Sequence, residues 1–250
     1  MRTLAILSAL PDEQSGLLQQ LEQPERVQRA GRTFWRGHWH AHAVVLALTK
    51  IGKVAAATTT TTLIEAFDVD RVVFTGVAGG MGAGVGVGDV VVAQNFVQHD
   101  MDASPLFARY EIPEHGSAIL TCDVQLTALL LRAVQAGLAG VGRHFHQGQW
   151  LPAATVHTGL VASGDQFVSE AAAARQMLSD LQAAGFSPLA VEMEGAAVAQ
   201  VCHDYGVPFA AVRTISDRAD DSAHADFSAF VTQVAGPYAR AVIGQLMTLL

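Results

Sequence analysis

The chain has 250 residues, of which 50% are hydrophobic and 15% are charged, and its formal net charge is -8. This composition can bury one large core and favours a single domain, residues 1–250, over two small ones. The negative balance argues against a nucleic-acid partner, because a protein that binds the phosphate backbone needs a basic face. No apolar run approaches the length that would span a membrane, so we expect no membrane partner.

The first half of the chain is predicted to be rich in β-structure. Pro11, Asp12 and Glu13 follow a short apolar run, and these residue types suit the first turn of a helix. Residues 27–48 change from an alternating to a continuous apolar pattern, which indicates antiparallel strands. The predicted elements are a strand at 4–8, a helix at 11–22, strands across 27–48, a helix at 53–67 and a strand at 71–75.

From about residue 90 onward, apolar runs alternate with helical patterns. This order predicts one α/β domain built on a mixed sheet. Residues 99–115 show no clear period and are interpreted as a long functional loop or a subunit contact, and residues 139–152 as an irregular connection. The predicted strands lie at 90–97, 155–163, 189–193 and 209–215, and the predicted helices at 121–136, 170–184, 195–205 and 227–250.

Carboxylates follow several of the predicted strands. Asp165, Glu194 and Asp217 each lie just beyond an apolar run, and Glu13 follows the first strand. Ligands of open α/β sheets bind at the carboxyl ends of strands, so this placement predicts one site assembled from separate strands. Glu192 or Glu194 could instead cap the helix that begins near residue 195.

The glycine-rich segment at residues 76–88 is a weak match to a dinucleotide fingerprint. Such a fingerprint opens a helix, whereas this segment leads into another predicted strand. We interpret it as a loop that brings backbone close to a flat ligand, with a flexible connection as the alternative. The sequence also lacks a P-loop and the Gly-x-Ser-x-Gly elbow of serine hydrolases.

The histidines and cysteines do not form a metal-binding pattern. His38, His40 and His42 alternate along a strand with no Cys, Asp or Glu beside them, which is typical of a solvated face, so we predict no metal. Cys122 and Cys202 lie in apolar contexts and are expected to be buried free thiols, as in a reducing cytoplasm. The N-terminal apolar run is short and ends in acidic residues, so a cytoplasmic location is expected rather than a signal peptide.

The ordered motifs of the chain resemble those of the methylthioadenosine/S-adenosylhomocysteine nucleosidases of the nucleoside phosphorylase superfamily. The resemblance covers nearly the whole chain and implies a three-layer α/β/α fold around a central mixed, twisted sheet. The matching segments are Ala9-Leu10-Pro11-Asp12-Glu13, Ile51-Gly52-Lys53-Val54, Thr75-Gly76-Val77-Ala78-Gly79-Gly80, Val87-Gly88-Asp89-Val90, His99-Asp100-Met101-Asp102, Ser163-Gly164-Asp165-Gln166-Phe167, Val191-Glu192-Met193-Glu194, Ile215-Ser216-Asp217, His224 and Asp226-Phe227.

The resemblance implies an enzyme that hydrolyses the N-glycosidic bond of an adenosine-type nucleoside. Asp217 matches the acid that protonates purine N7, and Ser216 matches the residue that orients it. Glu13 matches the group that activates water. A neutral base leaves only when it is protonated, and a carboxyl group with a raised pKa can supply that proton. No metal or organic cofactor is implied.

The same resemblance assigns the substrate-binding residues. Glu194 matches the carboxylate that grips the ribose hydroxyls, and Arg213 resembles a partner of the carboxylates from behind the site. The remaining matches are Gln166, Phe167 and Val168 for adenine, Val77, Ala78 and Gly79 around the nucleoside, Met193 on the sugar face, and Leu10, Ile51 and Phe227 for an apolar 5′-thio pocket. Glu192 is also expected to contact the substrate.

The resemblance also implies a homodimer in which residues 99–116 contribute to the neighbouring site, with Leu106, Phe107 and Pro113 as candidates. Three departures concern the substrate's 5′ group: the family commonly has serine at the position of Val77, residues 99–116 match only at their start, and residues 142–152 are longer than usual. The preference among methylthioadenosine, S-adenosylhomocysteine, 5′-deoxyadenosine and aminodeoxyfutalosine stays open.

Two other functions remain as alternatives. A purine nucleoside phosphorylase of the same fold would need a cationic phosphate cradle where Glu13 stands, and an acid there repels phosphate. A non-catalytic nucleoside-binding relative would be expected to have lost a catalytic carboxylate, but Glu13, Glu194 and Asp217 are all present. The sequence therefore favours a nucleosidase of the methionine salvage type.

Overall fold

The computed structural model describes residues 3–14, 16–142, 144–146, 149–219 and 227–250. His224 and Asp226, which belong to the motifs above, lie outside the described residues. The strands are β1 (Thr3–Ser8), β2 (Glu22–Arg29), β3 (Arg32–Trp39), β4 (His42–Leu48), β5 (Val69–Gly80), β6 (Val90–Gln98), β7 (Ile119–Thr121), β8 (Phe145–His146), β9 (Gln149–Trp150), β10 (Val156–Ser163), β11 (Ala190–Glu192) and β12 (Phe209–Asp217).

The helices are α1 (Lys53–Phe67), α2 (Val124–Ala139), α3 (Ala171–Ala183), α4 (Gly195–Tyr205), α5 (Phe227–Phe230) and α6 (Gly236–Leu249). Local chemistry fixes several of their ends. The Asp123 carboxylate accepts the Leu126 N–H at 2.7 Å and caps α2. Gly206 adopts the left-handed conformation that ends α4, which glycine enters without steric cost.

Ten strands of the described residues form one mixed sheet in the order β11-β10-β6-β12-β5-β1-β4-β3-β2, with β7 beside β6. Helices α1 and α4 pack together over one face of this sheet, and α2 and α6 pack together over the other. Each face buries its own apolar cluster, because strands covered on both sides need apolar residues on both sides. The predicted three-layer α/β fold is observed.

Part of the sheet closes on itself. Strand β11 pairs with β10 and also, antiparallel, with β5, so the pairings β5-β12-β6-β10-β11 form a ring. At the point of closure, Gly79 of β5 lies between Val191 of β11 and Asp217 of β12. The carboxylates therefore meet where the ring closes.

The predicted helix at residues 11–22 is wrong. Two single turns, Asp12–Gln14 and Leu18–Gln20, stand in its place, and β2 begins at Glu22. Gly16 separates the turns with a φ of 86°, in the left-handed region that disrupts a right-handed helix. The short first turn leaves Glu13 buried beside the end of β1.

Two other differences from the sequence prediction have local causes. Strand β5 continues to Gly80, because the first glycines of the predicted loop pair with β11 and β12 on either side. The predicted helix at residues 227–250 contains a wider turn at Val231–Ala235 before α6. Pro237 follows that turn, and it has no N–H to continue regular helical hydrogen bonding. None of the helices among the described residues is long and apolar enough to cross a membrane.

Candidate active site

A cavity of about 150 Å³ lies where β5, β11 and β12 meet. It is lined by Ala9, Leu10, Glu13, Ile51, Val77, Ala78, Gly79, Gln166, Phe167, Val168, Val191, Glu192, Met193, Glu194, Ser216, Asp217 and Phe227. Every residue of this chain that the resemblance assigned to catalysis or to direct substrate contact is in this set, whereas Arg213 lies behind the wall and Asp165 lies outside the cavity. The sequence missed Ala9 and Val191, which present no functional group that a sequence pattern could have marked.

Glu13 is held in one orientation by backbone N–H groups. Its Oε2 accepts the N–H of Ala9 at 2.7 Å and of Leu10 at 2.8 Å, and its Oε1 accepts the N–H of Val77 at 3.0 Å. A Cβ atom at Gly76 would lie 2.9 Å from Oε1, so glycine is needed for this close approach. Burial raises the pKa of Glu13 above its usual range, against the opposing effect of these N–H donors and of Arg213.

Asp217, at the end of β12, is oriented in a similar way. The Ser216 hydroxyl donates to its Oδ2 at 2.7 Å, and the N–H of Ala219 donates to its Oδ1 at 2.7 Å. A Cβ atom at Gly79 would lie 3.0 Å from that Oδ1. The carboxyl group is buried in the cavity wall and is fixed by groups from its own strand end.

Glu192 lines the cavity, but protein donors engage its carboxylate. Arg213 Nη2 donates at 2.8 Å, the N–H of Gly195 donates to both oxygens at 2.8–2.9 Å, and the Ser163 hydroxyl and the N–H of Glu194 donate as well. These contacts place Glu192 at the N-terminus of α4. The geometry thus gives Glu192 an anchoring role in place of the substrate contact expected for it, and it is Glu192, not Glu194, that caps this helix.

Glu194 remains available to the cavity. Its Oε1 accepts the N–H of Gly52 at 2.9 Å, across from the turn that precedes α1. Burial and the neighbouring Glu192 carboxylate raise the pKa of Glu194 to about 8, despite the Gly52 N–H and the Arg213 cation, which act in the opposite direction. Among the described residues no protein donor binds its second oxygen, so that oxygen can accept hydrogen bonds from hydroxyl groups of a ligand.

Comparisons with known proteins agree with this architecture. The sequence model of the Phosphorylase superfamily matches residues 3–246. The chain belongs to the Phosphorylase superfamily. A 5′-methylthioadenosine/S-adenosylhomocysteine nucleosidase of Chromohalobacter salexigens is 38% identical over 236 residues, which cover 94% of this chain and 92% of the relative. An aminodeoxyfutalosine nucleosidase of Helicobacter pylori is 34% identical over 254 residues, covering 98% of this chain and 100% of the relative.

A solved structure is similar to this chain over its full length. It is a 5′-methylthioadenosine/S-adenosylhomocysteine nucleosidase from Neisseria meningitidis in complex with methylthio-immucillin-A, with a TM-score of 0.87, 31% identity and 100% coverage of both chains. The predicted fold and family are confirmed by this similarity and by the family match.

The rim of the cavity in this Phosphorylase superfamily chain is apolar and open. Ile51 is 58% exposed and Phe167 is 45% exposed, although both line the cavity. Leu10, Met193 and Phe227 are further apolar residues of the cavity lining. The carboxylates thus occupy the deep end of the cavity, and the shallow end offers apolar contacts to a ligand.

Asp165 does not line this cavity. Its Oδ1 accepts the N–H of Lys53 at 2.7 Å, outside the group of catalytic candidates. The strand-end pattern grouped Asp165 with Glu194 and Asp217, but the structure places its carboxylate on the turn before α1 instead.

Replacing Arg213 is expected to destabilise the protein strongly. Arg213 is fully buried, its guanidinium lies 3.8 Å from the centre of the Phe74 ring, and Arg213→Met would leave the buried Glu192 carboxylate without a cation. We expect the free energy of unfolding in urea to fall by about 3–5 kcal/mol. Arg36→Met, which breaks an exposed pair with Glu25, is the control and should cost at most about 1 kcal/mol. Equal losses in the two variants would contradict the central role of Arg213.

The pKa of Glu194 predicts a pH-dependent stability. Between pH about 4.5 and about 8 the folded protein retains a proton on Glu194 that the unfolded chain releases, so stability falls as the pH rises through this range. Glu194→Gln removes this titration. We expect the Tm of the unsubstituted protein to fall more steeply over this range than that of the variant, as measured by calorimetry. Glu25→Gln, at an exposed site, should follow the unsubstituted protein, and parallel curves for Glu194→Gln would contradict the raised pKa.

Proposed function

We propose that this chain hydrolyses the N-glycosidic bond of 5′-methylthioadenosine and S-adenosylhomocysteine to adenine and the 5′-substituted ribose, as in methionine salvage. The observation that carries the proposal is the convergence of Glu13, Glu194 and Asp217 on one small cavity. The similar proteins from Chromohalobacter salexigens and Neisseria meningitidis are 5′-methylthioadenosine/S-adenosylhomocysteine nucleosidases, which supports the same activity. No lysine or arginine is among the residues that line the cavity in the described part of the chain, so a phosphate co-substrate lacks a cationic partner there.

In the proposed reaction, the Asp217 carboxyl group donates its proton to purine N7. The electron pair of the C–N bond then leaves with the base, and the sugar develops oxocarbenium character. A water molecule attacks the anomeric carbon, and Glu13 accepts the proton that this water loses. The raised pKa of Glu13 makes it a stronger base than an exposed glutamate, which suits this role.

Glu194 is proposed to bind the ribose hydroxyl groups. Positive charge that develops on the sugar would attract a nearby carboxylate and favour its ionised form, so Glu194 would stabilise the transition state more than the ground state. The N–H of Gly52 keeps one of its oxygens in place. Met193, which also lines the cavity, would pack against the sugar face.

The rest of the cavity is proposed to hold the base and the 5′ group. Phe167 would stack on adenine, with Gln166 and Val168 beside it and the backbone of Ala78 and Gly79 along the nucleoside. Leu10, Ile51 and Phe227 would contact the 5′-thio substituent, because a thioether or methyl group gains free energy when it leaves water for an apolar surface. This binding mode needs no metal or cofactor.

Hydrolysis of aminodeoxyfutalosine is a second candidate. The exposed positions of Ile51 and Phe167 leave the 5′ end of the cavity open, so a bulky 5′ substituent could extend outward. The similar Helicobacter pylori protein carries this activity in its name. A side-by-side assay of both nucleosides would decide the preference.

We further propose that the chain forms a homodimer in which residues 99–116 contribute to the partner's site. Leu106 is 84% exposed, and Phe107 beside it is also exposed. Two adjacent apolar side chains on one loop are typical of a contact surface. We also propose that residues 1–250 form a single domain in the cytoplasm, which is consistent with one sheet shared by both halves and with two buried free thiols.

The hydrolytic reaction is tested with methylthioadenosine in phosphate-free buffer. We expect adenine and free methylthioribose, and Asp217→Asn should lower kcat by about 10²–10⁴-fold because the leaving base loses its proton donor. Asp70→Asn, at the opposite end of β5, is the control and should keep its activity. Release of adenine only when phosphate is added would refute the hydrolase.

The dimer is tested by light scattering. We expect a mass of about twice 26.3 kDa, and Leu106→Asp should shift it toward the monomer by placing a charge in the contact. Val124→Asp makes the same change at an exposed apolar residue on α2 and should leave the mass unchanged. A monomeric unsubstituted protein, or an unaffected Leu106→Asp variant, would contradict this arrangement.

A further inference from the structure

Three residues outside the cavity form a closed ring of hydrogen bonds. Lys53 Nζ donates to Asp100 Oδ1 at 2.6 Å, the N–H of Asp165 donates to Asp100 Oδ2 at 2.9 Å, and the N–H of Lys53 donates to Asp165 Oδ1 at 2.7 Å. Lys53 begins α1, Asp100 follows β6, and Asp165 follows β10. The ring therefore joins three segments that are distant in sequence.

The ring is attached to the layer that contains α4. Lys53 Nζ also donates to Gln98 Oε1 at 3.0 Å, and Gln98 Nε2 donates to Gln200 Oε1 on α4 at 2.9 Å. The side chain of Lys53 is 17% exposed and that of Asp100 is 31% exposed, so water screens the pair only in part. These contacts restrict the ring to one arrangement.

Each side of the ring leads to a different part of the proposed site. The residue before Lys53 is Gly52, whose N–H binds Glu194 at 2.9 Å, and the residues after Asp165 are Gln166 and Phe167. Gly52 has a φ of 97°, and a Cβ atom there would lie 3.1 Å from Asp165 Oδ1. The turn that holds the ribose carboxylate and the loop that holds the base are thus in direct contact.

The loop at residues 164–168, which is proposed to hold the base, also packs against a histidine. A Cβ atom at Gly164 would lie 2.2 Å from His99 Nε2, so the backbone at Gly164 lies against the His99 ring. His99 directly precedes Asp100. The segment that follows β6 thus supports this loop in two ways, through the His99 imidazole and through the Asp100 carboxylate. The Asp100 carboxylate also binds Lys53, next to the turn that holds Glu194.

The charge on Asp100 is compatible with this role. Partial burial acts to raise its pKa, but the Lys53 ammonium and the N–H of Asp165 outweigh that effect, so the pKa lies below its ordinary value. Asp100 is therefore ionised at neutral pH, and both oxygens accept hydrogen bonds. Charge-assisted hydrogen bonds of this kind are stronger than neutral ones.

We propose that Asp100 is a positioning residue that couples the ribose-binding carboxylate Glu194 to the base-binding loop at residues 164–168. This inference rests on the proposed function, because it assigns substrate to both sides of the ring. Asp100 itself does not line the cavity, so its effect on substrate passes through Lys53, Gly52 and Asp165.

Asp100→Asn tests the proposal with almost no change in shape. An amide cannot accept on both sides, so its NH₂ group must face either the Lys53 ammonium or the N–H of Asp165, and one contact becomes repulsive. We expect the KM for methylthioadenosine to rise about tenfold, which is the loss of roughly one charge-assisted hydrogen bond, with a smaller change in kcat. Lys53→Met should raise KM similarly, and the double variant should be no worse than the more impaired single variant.

Asp70→Asn is the matched control. Asp70 also accepts one backbone N–H, from Thr3 at 2.8 Å, and one cation, from Arg71 at 3.0 Å, but at the opposite end of β5. It should lower the Tm about as much as Asp100→Asn while KM stays unchanged. An unchanged KM in Asp100→Asn, an equal rise in Asp70→Asn, or additive effects of the Lys53 and Asp100 substitutions would overturn the proposal.

Hydrogen–deuterium exchange in the ligand-free protein gives a readout that does not depend on the reaction. We expect Asp100→Asn to speed exchange of the N–H groups of Gly52, Lys53 and Asp165, and to leave those of β1 unchanged. Unchanged exchange at these three positions would overturn the coupling even if the nucleosidase activity is present. If the protein releases no adenine at all, the proposed function fails, and the exchange result still decides whether the ring couples the two segments.

Discussion

The site depends on the buried pair of Arg213 and Glu192, with Arg213 Nη2 at 2.8 Å from the Glu192 carboxylate. Four carboxyl groups lie in or beside one small cavity, and burying several negative charges together is costly unless a cation is close. Arg213 also lowers the pKa of both Glu13 and Glu194, against the dominant effect of burial. One central cation thus allows the protein to hold raised-pKa carboxyl groups without losing the fold.

The closure of the sheet gives this pair its position. Because β11 pairs with both β10 and β5, the end of β5 is enclosed by β11 and β12, and Gly79 faces Val191 on one side and Asp217 on the other. Glu192 then caps α4 and leaves Glu194, two residues later, to face the cavity. The backbone therefore fixes Asp217 and the proposed ribose-binding carboxylate Glu194 relative to each other. Because Gly76 and Gly79 have no side chain, the carboxylates of Glu13 and Asp217 can approach the backbone of β5.

Much of this arrangement could be predicted from the sequence. The apolar runs predicted strands and helices close to those observed, and the matched motifs predicted most of the residues that line the cavity. The failures have local causes that the pattern does not contain. The left-handed Gly16 breaks the helix predicted after β1, and pairing with two neighbours extends β5 into its glycines. The ring around Asp100 joins residues 47 and 65 positions apart, so no local pattern could have indicated it.

The sequence by itself determined the family, the layered α/β fold and which residue types meet in the cavity, because these follow from hydrophobic periodicity and from motifs that keep their order. Only the tertiary structure decided how the two neighbouring glutamates divide their roles. Glu192 and Glu194 are the same residue type, two positions apart. The backbone turn after β11 directs Glu192 toward Arg213 and the N-terminus of α4, and Glu194 toward Gly52. Hydrogen-bond partners that are distant along the chain, and not the residue type, set the function of each carboxylate.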